Sequence, residues 1–241
     1  QEQNVIPGMV TKRFYRQADV VFTSFLETAK YLNKGKVFYT GNPIRSSIKK
    51  SNIHNAKSEL GLSPEKFTVL FMGGSQGALA INKYLKNRYK KYIDNDIQLI
   101  WQTGERSKHL AKSVDHPKVK IYSFINEIDK IYAASDLIVS RAGATAISEI
   151  LYLEKPSILI PYPFAANNHQ EVNANTLEKN NVSIKINQKN LLTKKLENIV
   201  IDLSKSENKI NIYKENAKKY SKDNSASLIK DKIKDMILNA R

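Results

Sequence analysis

The sequence contains no cysteine, and its four histidines are scattered. The first absence excludes a disulfide framework and any thiolate metal site, and the second leaves no histidine cluster for zinc. No run approaches the about 18 consecutive apolar residues that a membrane-spanning helix needs, and the N-terminus carries neither a basic region nor an apolar signal core. A soluble or at most peripheral protein is expected, with the cytoplasm as the default compartment. No internal repeat or low-complexity tract stands out, although Lys and Asn crowd the last third. An initiating methionine is also missing: the chain opens on "QEQNVIPG" and is expected to begin mid-protein.

What is present is charge of one sign. Among 241 residues, 39 Lys and Arg stand against 23 Asp and Glu, a net +16. That balance permits nucleic acid, an anionic membrane surface or a phosphorylated substrate as partner, and chooses none of them. Lys, Asn and Ile are abundant throughout, so a general compositional bias, which leaves only a solvated basic surface, weakens any specific reading of the charge. No helix-turn-helix or aromatic RNA-binding motif accompanies it, and no nucleic-acid partner is expected.

Short runs rich in Val, Ile and Phe alternate with helical patterns, as a parallel α/β sheet requires. The strand candidates are "DVVF", "KVFYT", "FTVLFM", "QLIWQT", "VKIYSF", "DLIVS", "SILIPY" and "VSIKI", with helices such as "ALAINKYLKNRYKKY" and "TAISEILYLE" between them. Right-handed crossovers then cover both faces, giving an open, doubly wound domain. The polar, lysine-rich stretch around residues 43–55 reads as a boundary. Residues 1–44 are therefore expected to be the tail of one Rossmann-like domain, 45–55 a linker, 56–220 a complete Rossmann-like domain, and 221–241 a helix packing back toward the first. In that helix Leu228, Ile229, Ile233, Met236 and Ile237 share one face, which needs a surface to bury against.

Ligands of such sheets bind where strand ends run into helix starts, and three of these junctions are chemically loaded. The first is "FTVLFMGGSQGALAIN". Gly73, Gly74 and Gly77 let backbone amides approach an anion at a helix start, with Ser75 and Gln76 between them, although a plain βα turn would also tolerate glycine. It is not a Walker loop, because no Lys-Ser/Thr pair follows the last glycine. The second is "DLIVSRAGATAISEI". With Thr145 as helix cap and Ile147, Ile150 and Leu151 as the buried stripe, Glu149 lies on another face, beside the crevice. Its two oxygens can accept from neighbouring hydroxyls such as those of ribose; the alternative is an ordinary first-turn glutamate favoured by the helix dipole. The third is "SILIPYPFAANNHQEVNAN", where Gln170 can donate to and accept from a sugar hydroxyl, and His169 can be acid, base or cap.

Together "GNPIR", "GGSQGA", "RAGATAISEI" and "HQEVNA", in this order, resemble the MurG family of bacterial N-acetylglucosaminyltransferases, glycosyltransferase family 28. The resemblance spans Glu2 to about Ile186. It implies a GT-B arrangement of two Rossmann-like domains, with the nucleotide-sugar donor held mainly by the C-terminal one. It also implies inverting transfer of GlcNAc from UDP-GlcNAc to an undecaprenyl-diphosphate-linked muramoyl-pentapeptide at the cytoplasmic face of the plasma membrane. This is a step in peptidoglycan synthesis, and so in cell shape and division, with no cofactor and no metal on the donor. Carried over by residue, Glu149 meets the ribose hydroxyls, and Ala144, Thr145, Ala146, Ile147 and Ser148 surround the diphosphate and donor sugar. Gly74, Ser75 and Gln76 contact the same region, Ile125 meets uracil through its backbone, and Gln170 holds GlcNAc. Arg45 and Asn4 are further donor contacts near the cleft.

The departures bear on catalysis. The family opens with a Gly-rich loop whose histidine is the expected general base, and nothing before Gln1 supplies it, so no catalytic residue is assigned to this chain. The family usually has His where Gln1 stands. The chain is therefore expected to bind donor better than it catalyses, and an anionic membrane surface is expected as a partner beside the lipid acceptor. A non-hydrolysing UDP-GlcNAc 2-epimerase shares architecture and ligand, and a non-catalytic donor-binding subunit is the other alternative.

Overall fold

The computed structural model describes residues 1–32, 34–193 and 195–239. The chain begins with α1 (Met9–Phe14), β1 (Val21–Thr23), β2 (Val37–Tyr39) and α2 (Ile53–Glu59). Next come β3 (Thr68–Met72), α3 (Leu79–Asp94), β4 (Gln98–Gln102), β5 (Val119–Tyr122), α4 (Ile128–Ala133), β6 (Leu137–Ser140) and α5 (Ala144–Tyr152). The order ends with β7 (Ser157–Leu159), α6 (His169–Lys179), β8 (Ile184–Lys185), α7 (Lys195–Ser204), α8 (Glu207–Tyr220) and α9 (Ser225–Asn239). Each strand read from the sequence forms, but "VSIKI" shrinks to the two residues of β8 at the sheet edge. Between β4 and β5 the crossover is a 3-10 segment, Glu105–Ala111, rather than an α-helix.

Six strands make one wholly parallel sheet in the order β5-β4-β3-β6-β7-β8, and β1 pairs with β2 separately. The chain works outward from β3 to β5, returns to the other side of β3 at β6, and works outward again. That is the doubly wound Rossmann order, and it splits the loops at the carboxyl ends of β3 and β6 to opposite sides of a crevice. Both central strands are buried along their whole length, which is why they read as continuous apolar runs.

Alternation along each strand divides the core. Val69, Phe71, Leu99, Trp101 and Val139 face α3 and α7, whereas Leu70, Met72, Ile100 and Ile138 face α2, α4 and α5. At the opposite end of the sheet, the Asp136 carboxylate accepts from Lys57 Nζ at 2.7 Å and from Thr68 N at 2.8 Å. Lys57 is 3% exposed and also donates to Lys66 O, so this pair, buried on its lysine side, pins α2 to the starts of β3 and β6.

A third core, in which Val5 and Phe25 meet Ile147, Leu151, Ala174 and Leu177, joins the first segment to α5 and α6. Within 45–55, Ile48 is buried beneath the second core and α2 already starts at Ile53, where the Asn52 side chain accepts from Asn55 N. The start of α9 and the turn before it lie against β2 and Gly41: Lys222 Nζ stands over Tyr39, Lys232 Nζ over Phe38, and Ser225 is buried. The apolar face foreseen for this helix is only partly covered. Leu228, Ile229 and Met236 are half-buried, while Ile233 and Ile237 remain 43% and 56% exposed, because the packing comes mainly from the N-terminal part of the helix. Among the described residues no helix is long and apolar enough to cross a membrane.

Candidate functional site

The loop leaving β3 is fixed from below by β4. Trp101 Nε1 donates to Asn82 Oδ1 at 2.8 Å, Asn82 Nδ2 donates to Thr103 O at 2.7 Å, and the Gly73 amide donates to Gln102 Oε1 at 3.0 Å. The turn is consequently held tight against β4. At Gly77 φ is +72°, and an added Cβ would lie 2.0 Å from the Thr103 carbonyl oxygen. Gly74, at φ +82°, has open space where its Cβ would be, on the crevice side of the turn. No side chain caps α3, whose N-cap is Ala78, so its first amides stay available at the crevice.

Across the switch point, α5 starts differently from the sequence expectation. Its N-cap is Gly143 in extended conformation, so Thr145 is already the second helical residue and caps nothing. Glu149 is the sixth. That position is beyond the first turn, where the dipole effect fades, so the ordinary first-turn reading does not explain this carboxylate. Glu149 is 3% exposed instead of solvated. Oε1 accepts from Arg45 Nη2 at 2.8 Å and Nε at 3.2 Å, and Oε2 accepts from the Tyr132 hydroxyl at 2.9 Å. Burial, then the adjacent Glu149 charge, pushes the Tyr132 phenol well above its ordinary range, so it stays a donor.

These groups line a cavity of about 320 Å³ together with Ser75, Gln102, Phe124, Ile125 and Thr145. It adjoins a larger cleft of about 980 Å³ through Met72, Gly74 and Ala146, which border both. The larger cleft takes in Gln76, the start of α3, Arg106, His109, Arg141, Tyr162, Gln170 and Gln188. Arg141 braces its wall, donating to Ile160 O, Pro161 O and Gln188 Oε1 at 3.1, 3.2 and 2.6 Å, with its guanidinium over the Tyr162 ring. Burial lowers its pKa. The Gln170 carbonyl accepts from Tyr162 N at 2.9 Å, which leaves its NH2 group as the part able to meet a ligand.

The expected site residues thus divide. Arg45, Gly74, Ser75, Gln76, Ile125, Thr145, Ala146, Glu149 and Gln170 border the two connected cavities. Ala144, Ile147 and Ser148 do not: Ile147 is buried in the third core, Ala144 is 8% exposed, and Ser148 Oγ donates back to Ala144 O. Asn4 borders neither cavity, since its Oδ1 accepts from Asn173 Nδ2, which also donates to Ala142 O. His169 stands in the first turn of α6 with Nδ1 buried and, among the described residues, unpartnered. The sequence reading missed Tyr132, Arg141, Phe124, Tyr162 and Gln188. Arg141 lay inside a quoted motif, whereas Tyr132 looked like any core aromatic of a helix.

Comparison with known proteins accords with this geometry. Residues 68–233 match the glycosyltransferase family 28 C-terminal domain. The "UDP-N-acetylglucosamine--N-acetylmuramyl-(pentapeptide) pyrophosphoryl-undecaprenol N-acetylglucosamine transferase" of Christiangramia forsetii is 34% identical over 241 residues, covering 99% of this chain and 66% of the relative. The protein of the same name from Acetivibrio thermocellus is 38% identical over 245 residues, with the same two shares. The crystal structure of Acinetobacter baumannii MurG superposes with a TM-score of 0.75 at 22% identity, covering 97% of this chain and 66% of that one. The chain spans just under two thirds of the length of these relatives.

Proposed function

The chain belongs to glycosyltransferase family 28, and from that premise we propose that it is the donor-binding part of an inverting transferase that uses UDP-GlcNAc. The observation that carries this reading is the Glu149 carboxylate, buried at the wall of a nucleoside-sized cavity at the β3/β6 switch point and paired on one oxygen with the exposed Arg45 guanidinium. In the proposed complex the ribose hydroxyls donate to Glu149 and uracil lies by Ile125 and Phe124. The diphosphate meets the amides at the start of α5 and the loop of Gly74 and Ser75, and the Gln170 NH2 group meets the GlcNAc in the larger cleft.

In this reading the acceptor is the lipid-diphosphate-linked muramoyl-pentapeptide, no metal sits on the donor, and the product is lipid II for peptidoglycan. The chain's own part is to hold and orient the donor so that its anomeric carbon faces the acceptor hydroxyl; no general base is assigned to its residues. The place of action is the cytoplasmic face of the plasma membrane, with peripheral attachment. From Gln188 to Arg241, twelve Lys and one Arg stand against seven acids, an excess of six positive charges; because the proposed acceptor is a membrane lipid, the anion this excess meets is taken to be the bilayer surface. Basic residues near such a surface contribute about 1 kcal/mol each and are screened by salt.

Calorimetric titration with UDP, UDP-GlcNAc and ADP tests the donor reading. Saturable binding of both uridine ligands, with ADP weaker, is expected; no binding of UDP overturns it. Co-sedimentation with anionic and neutral vesicles at low and high salt tests the surface. Salt-sensitive binding to anionic vesicles is expected, and capture by a DNA duplex but not by those vesicles contradicts it.

A further inference from the structure

Glu149 has two partners of opposite character. Tyr132 is fully buried on α4, within the second core, whereas the Arg45 side chain is 60% exposed on the segment between β2 and α2. A buried carboxylate that loses a partner must gain another at once, because leaving it unpaired is costly. A diol entering the cavity can replace the exposed guanidinium on Oε1. It cannot displace a phenol packed into the core. We infer that Tyr132 is a positioning residue that aims the Glu149 carboxylate and so sets a preference for ribose over deoxyribose, while Arg45 holds, in the free protein, the oxygen that the ribose diol takes.

The inference rests on the uridine-nucleotide reading above and extends it to two side chains with distinct duties. With the phenol present, Oε2 is occupied and Arg45 holds Oε1 alone, through Nε and Nη2. Without it, Oε2 is left without its donor and the carboxylate can turn to meet Arg45 with both oxygens, the fork geometry in which guanidinium and carboxylate bind most strongly. A ligand diol would then compete against a firmer pair. Tyr132 thus keeps the Arg45 contact weak enough to exchange, and Glu149 oriented for two adjacent hydroxyls.

The test is calorimetric titration with UDP and 2′-deoxy-UDP of the unaltered chain and of Tyr132→Phe, with the thermal midpoint as a check on folding. The unaltered chain is expected to prefer UDP by roughly tenfold or more, and Tyr132→Phe to reduce that preference to within about threefold, chiefly through lost UDP affinity. An unchanged preference in folded Tyr132→Phe overturns the inference while leaving the donor site standing. Absence of UDP binding in the unaltered chain overturns both. Should Tyr132→Phe fail to fold, Arg45→Met decides: with its competitor gone, the carboxylate should bind uridine, which has no phosphate for Arg45 to meet, roughly threefold or more tightly. Equal or weaker uridine binding in that variant overturns the exchange.

Discussion

Gly77 approaches Thr103 so closely that a Cβ at position 77 would stand 2.0 Å from the Thr103 carbonyl oxygen. This contact, at φ +72°, sets the height of the loop that faces the crevice. Gly77→Ala must open the turn and hold a left-handed conformation, so we expect a loss of about 2 kcal/mol or more in stability, with weaker UDP binding. Denaturant unfolding measures the first and calorimetry the second; an unchanged midpoint contradicts this description of the loop.

Gln170 presents its NH2 group to the larger cleft, because its carbonyl is engaged by Tyr162 N. Gln170→Ala should weaken UDP-GlcNAc by about 1 kcal/mol and leave UDP nearly untouched. Competition binding with the two ligands reads the difference, and equal losses place Gln170 outside the sugar pocket.

At the far end of the sheet, the buried Lys57 ammonium pairs at 2.7 Å with the partly exposed Asp136 carboxylate. Asp136→Ala leaves the ammonium without its counter-charge and should cost about 3 kcal/mol, whereas replacing both partners by apolar residues should recover much of that loss. Chemical denaturation of the two variants, neither of which touches the crevice, checks this.

Lys155 donates to Ala133 O and Ser135 O at the end of α4, and burial lowers its pKa to about 8 from the usual 10.5. Between those values the unfolded chain binds more protons than the folded one, so this group's penalty on folding is fully present below pH 8 and is relieved as pH rises toward 10.5. Relative to Lys155→Met, the unaltered chain should gain on the order of 2 kcal/mol between pH 7.5 and pH 10.5. Parallel stability curves for the two proteins would contradict the burial of that charge.

Much of the architecture was legible because each central strand is buried on both faces and therefore spells an unbroken apolar run, as in "TVLFM" and "LIVS". The glycine loop and Glu149 were legible because strand-end chemistry lies close together in sequence. The partners of Glu149 were not, since Arg45 is 104 residues away and only the fold brings its guanidinium to Oε1. Tyr132 carried no polar signal, because a phenol on a core-facing helix position reads as packing until its hydroxyl is seen to meet a carboxylate. Thr145 reads as a cap because a hydroxyl usually outranks glycine there, but the cap is Gly143 and the chain enters α5 two residues earlier than that reading implies, at Ala144.

If the Glu149 carboxylate receives the ribose hydroxyls of a UDP-sugar as proposed, its removal must be felt in UDP affinity, measured side by side by calorimetry in the unaltered chain and in Glu149→Ala. UDP should bind the unaltered chain, and the variant should lose about 1 to 3 kcal/mol, roughly 5- to 150-fold in affinity, while remaining folded. UDP affinity unchanged in a folded Glu149→Ala would contradict that role.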